Sequence, residues 1–193
     1  MKKTVLSLFL AVILCLSLCS CGKKAAEEES TSPFEPEIST EEEALSGETV
    51  TKMLYAVLGT DNVKTNNFSF VGGRVSVRRI AAGLTGWTGI SFFCDDETDI
   101  GNKKIVIDFR AESPFVTGEI PKNISAEFGS FKDANEMRIF MLNSFCRSVR
   151  ENMGDYDVYF KAAGENIAKY KLDGNINSET AFNKTDSSVV YVK

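Results

Sequence analysis

Histidine is missing from the 193 residues altogether. That removes Ser–His and Cys–His nucleophile pairs and every metal centre that depends on imidazole ligands. An excess of basic charge is also missing. The chain has 22 basic and 27 acidic residues. Without Lys2, Lys3 and the two lysines and nine glutamates of 22–49, residues 50–193 hold eighteen of each sign. A neutral domain lacks the Lys and Arg surplus that phosphate backbones require, which argues against nucleic acid as a partner. Tryptophan occurs once and proline four times, and there are five cysteines, three of them before residue 22.

Those three cysteines sit at the end of the longest uncharged run. Lys2 and Lys3 precede TVLSLFLAVILCLSLCS, residues 4–20, which is a little short for a spanning helix and has the flanks of a secretory signal. Its end, Leu18-Cys19-Ser20-Cys21, resembles the bacterial lipobox, with Leu three before the cysteine and a small residue just before it. Cys15 and Cys19 each follow a leucine and fit less well. The resemblance implies lipid transfer to the Cys21 sulfur, cleavage after Ser20, and membrane lipid as a partner through acylated Cys21. More than one acyl chain gives stable anchoring, here at the extracytoplasmic face of the cell membrane. An uncleaved anchor helix is the alternative. A zinc clip at Cys19 and Cys21 would need further ligands.

Residues 21–48 then read as an acidic tether. Segment 22–49 carries nine glutamates and two prolines with few large apolar residues, too little to offset ordering entropy. As a flexible coil it reaches roughly 30 Å, and charge repulsion extends it further.

The remaining stretch, 49–193, is long enough for one domain with a sizeable core. In ETVTKMLYAVLG, Val50, Met53, Leu54, Val57 and Leu58 predict an amphipathic helix stopped by Gly59. NFSFVGGRVSV predicts a hairpin turning at Gly72-Gly73. TGISFFC and KKIVIDF predict a strand pair joined by the polar loop DDETDIGN. Pro114 and Pro121 punctuate an irregular stretch from about 111 to 131. Asp133 with Glu136 forms a capping box, and Met137, Phe140, Met141, Phe145, Val149 and Met153 carry helical spacing up to Gly154. YDVYFK alternates as a strand, Ala163-Gly164 turns into NIAKYKL, and SSVVYVK could add a last strand. Strands and two main helices mixed without βαβ repetition predict a single α+β domain with a mixed, largely antiparallel sheet.

The KIVIDF strand, the helix around ANEMRIFMLNSFCRSVRENMGDY and the following DVYFKAAGENI together resemble the GerMN (sporulation and spore germination) domain of Firmicutes lipoproteins. That family reads as helix, a hydrophobic strand ending V-D-hydrophobic, helix, and a V-hydrophobic-F strand leading to a D-G-E turn. Ile107-Asp108-Phe109 and Gly164-Glu165 match it, whereas Ala163 stands where the family often has an acidic residue. The resemblance spans about residues 48–175. It implies a non-catalytic domain that packs or assembles with others at the cell envelope, an unknown envelope protein or further copies of itself.

Few residues carry chemistry. Asp95, Glu97 and Asp99 begin like a calcium loop, but Gly101 is at the seventh position and Val106 at the twelfth, so the cage is incomplete and a solvated turn fits better. GLTGWTG holds Trp87 in a loop that closes over the core, or alternatively presents it to a partner or sugar. Arg78-Arg79 reads as a solvated strand end. Cys94 and Cys146 lie in apolar segments, as free buried thiols or as a disulfide. No cofactor, metal site or catalytic residue is indicated. Three functions remain: an interaction or assembly domain, a lipoprotein binding a small solute or glycan, and a hydrolase using carboxylates, which nothing in the sequence favours.

Overall fold

The chain divides into two units, residues 1–41 and 42–193. The computed structural model describes residues 47–172 and 176–185, all in the second unit. Cys21, the tether as far as residue 46 and the SSVVYVK segment lie outside the described residues. The domain is α+β, with a two-stranded antiparallel sheet and a four-stranded mixed one.

Strand β1 (Thr49–Gly59) pairs antiparallel with β2 (Asn62–Val71), with Tyr55 opposite Thr65 and Val57 opposite Val63. This overturns the helix predicted over 50–59. Apolar spacing over so short a run fits both templates, and β-branched Thr49, Val50, Thr51 and Val57 favour the extended form. The hairpin thus turns at Thr60-Asp61 rather than at Gly72-Gly73. The two glycines, with φ of 61° and 73°, instead redirect the chain into helix α1 (Val77–Thr88).

Helix α1 is a second correction, since 83–89 reads as a glycine-rich loop. The Ser76 hydroxyl caps it by accepting from the Arg79 N–H, and Gly89 closes it at φ 75°. Val77, Ile80, Ala81, Leu84 and Thr88 are its buried stripe. Gly83 costs helix propensity but permits close packing, because a methyl there would come within 2.8 Å of Leu54 Cδ1. Arg79, expected on a solvated strand end, lies in this helix with its guanidinium 4.4 Å from the Phe70 ring centroid, donating to the Gly72 carbonyl.

Strand β3 (Cys94–Asp99) pairs antiparallel with β4 (Lys104–Phe109), so the expected polar loop is half strand and only 100–103 turns. The short helix α2 (Pro114–Thr117) and a 3-10 turn at Ala126–Phe128 order the irregular stretch. Helix α3 (Ala134–Met153) follows the expected span; Asp133 accepts from the Asn135 and Glu136 N–H groups at 2.9 Å. It is the crossover that lets β5 (Asp157–Ala162) pair parallel to β4, Ile107 opposite Phe160. Beyond the Ala163-Gly164 turn, β6 (Glu165–Asn166) is two residues long, and Ile167–Tyr170 is 3-10 rather than strand.

Phenylalanine fills the space between α3 and the four-stranded sheet. Phe145 meets Phe92, Phe109 and Phe160 at centroid distances of 5.6, 6.1 and 6.3 Å, and Phe109 stacks on Phe115 at 4.3 Å.

On its other side α3 docks β1 through hydrogen bonds. The Ser144 hydroxyl accepts from the Val57 N–H and the Ser148 hydroxyl from the Tyr55 N–H, both at 2.9 Å; Asn152 Nδ2 donates to the Met53 carbonyl at 2.7 Å. Ser144, Ser148 and Asn152 are one turn apart on the helix. Ser144→Ala should therefore strand the buried Val57 N–H and lower stability by about 1–3 kcal/mol in urea unfolding.

Candidate interaction site

One side of α1 carries Arg78, Ala81, Ala82, Thr85 and Gly86, spaced i, i+3, i+4, i+7 and i+8, with Ala81 at the margin of the buried stripe. Small side chains leave a cleft between this face and the segment entering β3. It has a volume of about 460 Å³ and is completed by Phe92, Phe93, Cys94 and Arg110. Thr85 ties the two walls, donating to the Ala81 carbonyl at 2.8 Å and accepting from the Phe92 N–H at 2.9 Å. Phe93 stands 55% exposed beside it, one of few large apolar side chains left in water.

Two guanidinium groups flank the cleft, and its lining contains no carboxylate. Arg110 grips Asp95 bidentately, Nε to Oδ2 at 3.0 Å and Nη2 to Oδ1 at 2.6 Å. That hydrogen bonding, aided by the positive charges of Arg110 and Arg78, holds the Asp95 carboxyl below its ordinary range. Arg78 stands farther off, 3.7 Å from Asp95 and 3.5 Å from Asp96. The pairing relieves a clash, because Asp95 lies directly opposite Asp108 in the ladder. Asp108 in turn accepts from the Gly164 N–H at 3.0 Å.

The acidic trio suspected of calcium binding is dispersed along β3. Asp95 serves Arg110, and Asp99 accepts from Asn102 N and Nδ2 at 3.0 and 2.7 Å to close the 100–103 turn. Among the described residues no three or more His, Cys, Asp or Glu side chains converge as metal ligands.

Trp87 is half-buried in α1 and outside the cleft lining. Its Nε1 donates to Glu127 Oε1 at 2.7 Å and its ring meets Phe128 edge-on at 5.2 Å. Cys21 is not among the described residues. Sequence reasoning missed Phe93, Arg110 and the small face of α1; the i, i+3, i+4, i+7 spacing from Arg78 was the available signal once 77–88 is seen as helix.

Cys94 and Cys146 are both buried free thiols. Burial first, then the Asp96 and Asp95 charges, push the Cys94 thiol up to about 12, and burial also raises Cys146. Iodoacetamide at pH 8 should therefore leave both unmodified in the folded protein and alkylate both in denaturant, read by peptide mass.

Comparison with protein-family models, curated proteins and solved structures finds no match to this chain.

Proposed function

We propose that the chain is a lipid-anchored envelope protein in which residues 1–20 are removed, acylated Cys21 holds the membrane, 21–48 is a tether, and the 49–193 domain works non-catalytically by docking a partner. The anchor rests on Leu18-Cys19-Ser20-Cys21 after an uncharged run. The GerMN likeness is supported by the order α1, β4 with Val106-Ile107-Asp108-Phe109, α3, and β5 with Val158-Tyr159-Phe160 leading to the Ala163-Gly164 turn. In this arrangement α1, rather than 50–59, takes the place of the family's first helix.

The observation that carries the docking reading is the α1–β3 cleft. Its apolar floor with exposed Phe93 suits an apolar side chain, and exposed Arg78, which stands farther from its own carboxylates than Arg110 does, suits an adjacent carboxylate on the same partner segment. Its volume also falls in the range of small-molecule sites, which favours a small amphipathic anion as the second reading.

Two experiments bear on this. Cys21→Ala should leave a precursor of higher mass that no longer carries lipid; mature protein with an unmodified N-terminus elsewhere would refute the anchor. Phe93→Ser should leave the melting temperature nearly unchanged, as surface substitutions do, and erase the neighbours captured by crosslinking on intact cells. Unchanged neighbours would overturn the cleft as docking site. A thermal-shift rise with dodecanoate, lost in Phe93→Ser, would move the assignment to the small-molecule reading.

A further inference from the structure

Four strand edges border the two sheets, and three carry a recognisable guard. The outer edge of β1 is covered by α3, with the Val57 and Tyr55 N–H groups taken by Ser144 and Ser148 and the Met53 carbonyl by Asn152. The outer edge of β3 bears Asp95, Asp96, Glu97 and Asp99, charges that discourage strand addition. At the far side β6 is only two residues long.

The fourth edge, β2, differs. Because the Tyr55 and Val57 N–H groups point at α3, the pairs Tyr55–Thr65 and Val57–Val63 are the non-hydrogen-bonded ones of the ladder. Val63 and Thr65, and by alternation Asn67 and Ser69, therefore turn their backbone N–H and C=O groups away from β1. Among the described residues no hydrogen bond reaches these groups. The ten-residue strand contains no proline, and its one charge is Lys64. That charge is drawn off the edge, with Nζ donating to the Glu127 carbonyl at 2.5 Å and lying 5.7 Å from the Phe128 ring centroid.

We propose that the outer edge of β2 is the docking surface for a second copy of this chain, β2 against β2 in antiparallel pairing, which joins the two hairpins into one four-stranded sheet. A two-fold axis through Asn67 sets Asn67 opposite itself, Thr65 opposite Ser69 and Val63 opposite Val71, so each outward-facing residue meets another outward-facing residue. It also sets Lys64 opposite Phe70, which keeps the two lysines apart. An edge that is neutral, unguarded and complementary to itself favours a copy of the same strand over a charged foreign segment. The inference gives the assembly reading a specific surface and rests on that reading for its setting. Anchoring in one membrane plane raises the effective concentration of copies.

The test is oxidative crosslinking of the full chain in membranes of expressing cells. Asn67→Cys should give a covalent dimer of twice the chain mass, while the unaltered chain, with Cys94 and Cys146 buried and, on the anchor reading, Cys15 and Cys19 removed and Cys21 acylated, gives none. Thr65→Cys alone should also give none, because the axis holds the two copies of residue 65 about 13 Å apart, beyond disulfide reach. Thr65→Cys combined with Ser69→Cys should restore the dimer. Adding Thr65→Pro to Asn67→Cys removes only an outward N–H, so the dimer should vanish while the melting temperature holds; Asn66→Pro, whose N–H faces β1, should lower the melting temperature. No dimer from Asn67→Cys, equal crosslinking from Thr65→Cys alone, or a crosslink to a different protein overturns the proposal. A dimer that persists when Asn67→Cys is combined with Cys15→Ala, Cys19→Ala and Cys21→Ala supports the β2 edge even where the anchor reading fails.

Discussion

Everything in this domain depends on helix α3 having two interior sides. One side presses Phe145 and its aromatic neighbours onto the four-stranded sheet, where burial drives association. The other offers Ser144, Ser148 and Asn152 to a strand edge as if it were a third strand. A helix surface ordinarily cannot complete a β ladder. Two hydroxyls one turn apart solve that, because each reaches a backbone N–H at least partly withdrawn from water that would otherwise be unpaired. Met137 through Cys146 are buried with the sole exception of Ile139, which fits a helix enclosed on both flanks.

The same arrangement places the candidate surfaces. With α3 and the hairpin occupying one side, α1 packs Ile80 and Leu84 inward and turns Ala82, Thr85 and Gly86 toward the cleft beside Phe93, which thus follows from where the core lies. Polar pairing then tunes the rim: the Arg110–Asp95 grip sits on the solvent face of the sheet, where a bare Asp95–Asp108 opposition would be unfavourable. The anchor, the docking cleft and the β2 edge would then occupy separate parts of one chain.

Legibility in the sequence tracked how local each signal was. Helix α3 was plain because Asp133, Glu136 and Gly154 mark its ends within the segment itself; β5 was plain from alternation, and β4 from an apolar run after a polar loop. Strand β1 was not. Its apolar spacing fits a helix, and what makes it a strand is β2 on one edge and serines about ninety residues away on the other. In α1 the glycines at 83 and 86 hide the helix from propensity reasoning, while the Leu54 contact that explains Gly83 is tertiary. The cleft depended on α1, one of the misread elements, so its residues could not be gathered from sequence. The α+β class survived because the number and mixture of elements changed little when individual ones were exchanged.

The bond between Ser148 and Tyr55 joins residues 93 apart in the chain. The first hairpin to emerge during synthesis is thus completed by one of the last large elements. Until residue 153 is available, β1 shows a second bare edge alongside that of β2. Chains halted or cleaved in the 110–140 region would expose two adhesive strand borders instead of one, and stretches of this kind are natural targets for holding chaperones and for aggregation. Loss of α3 would therefore be felt first as insolubility of the N-terminal half, before any loss of the candidate surfaces.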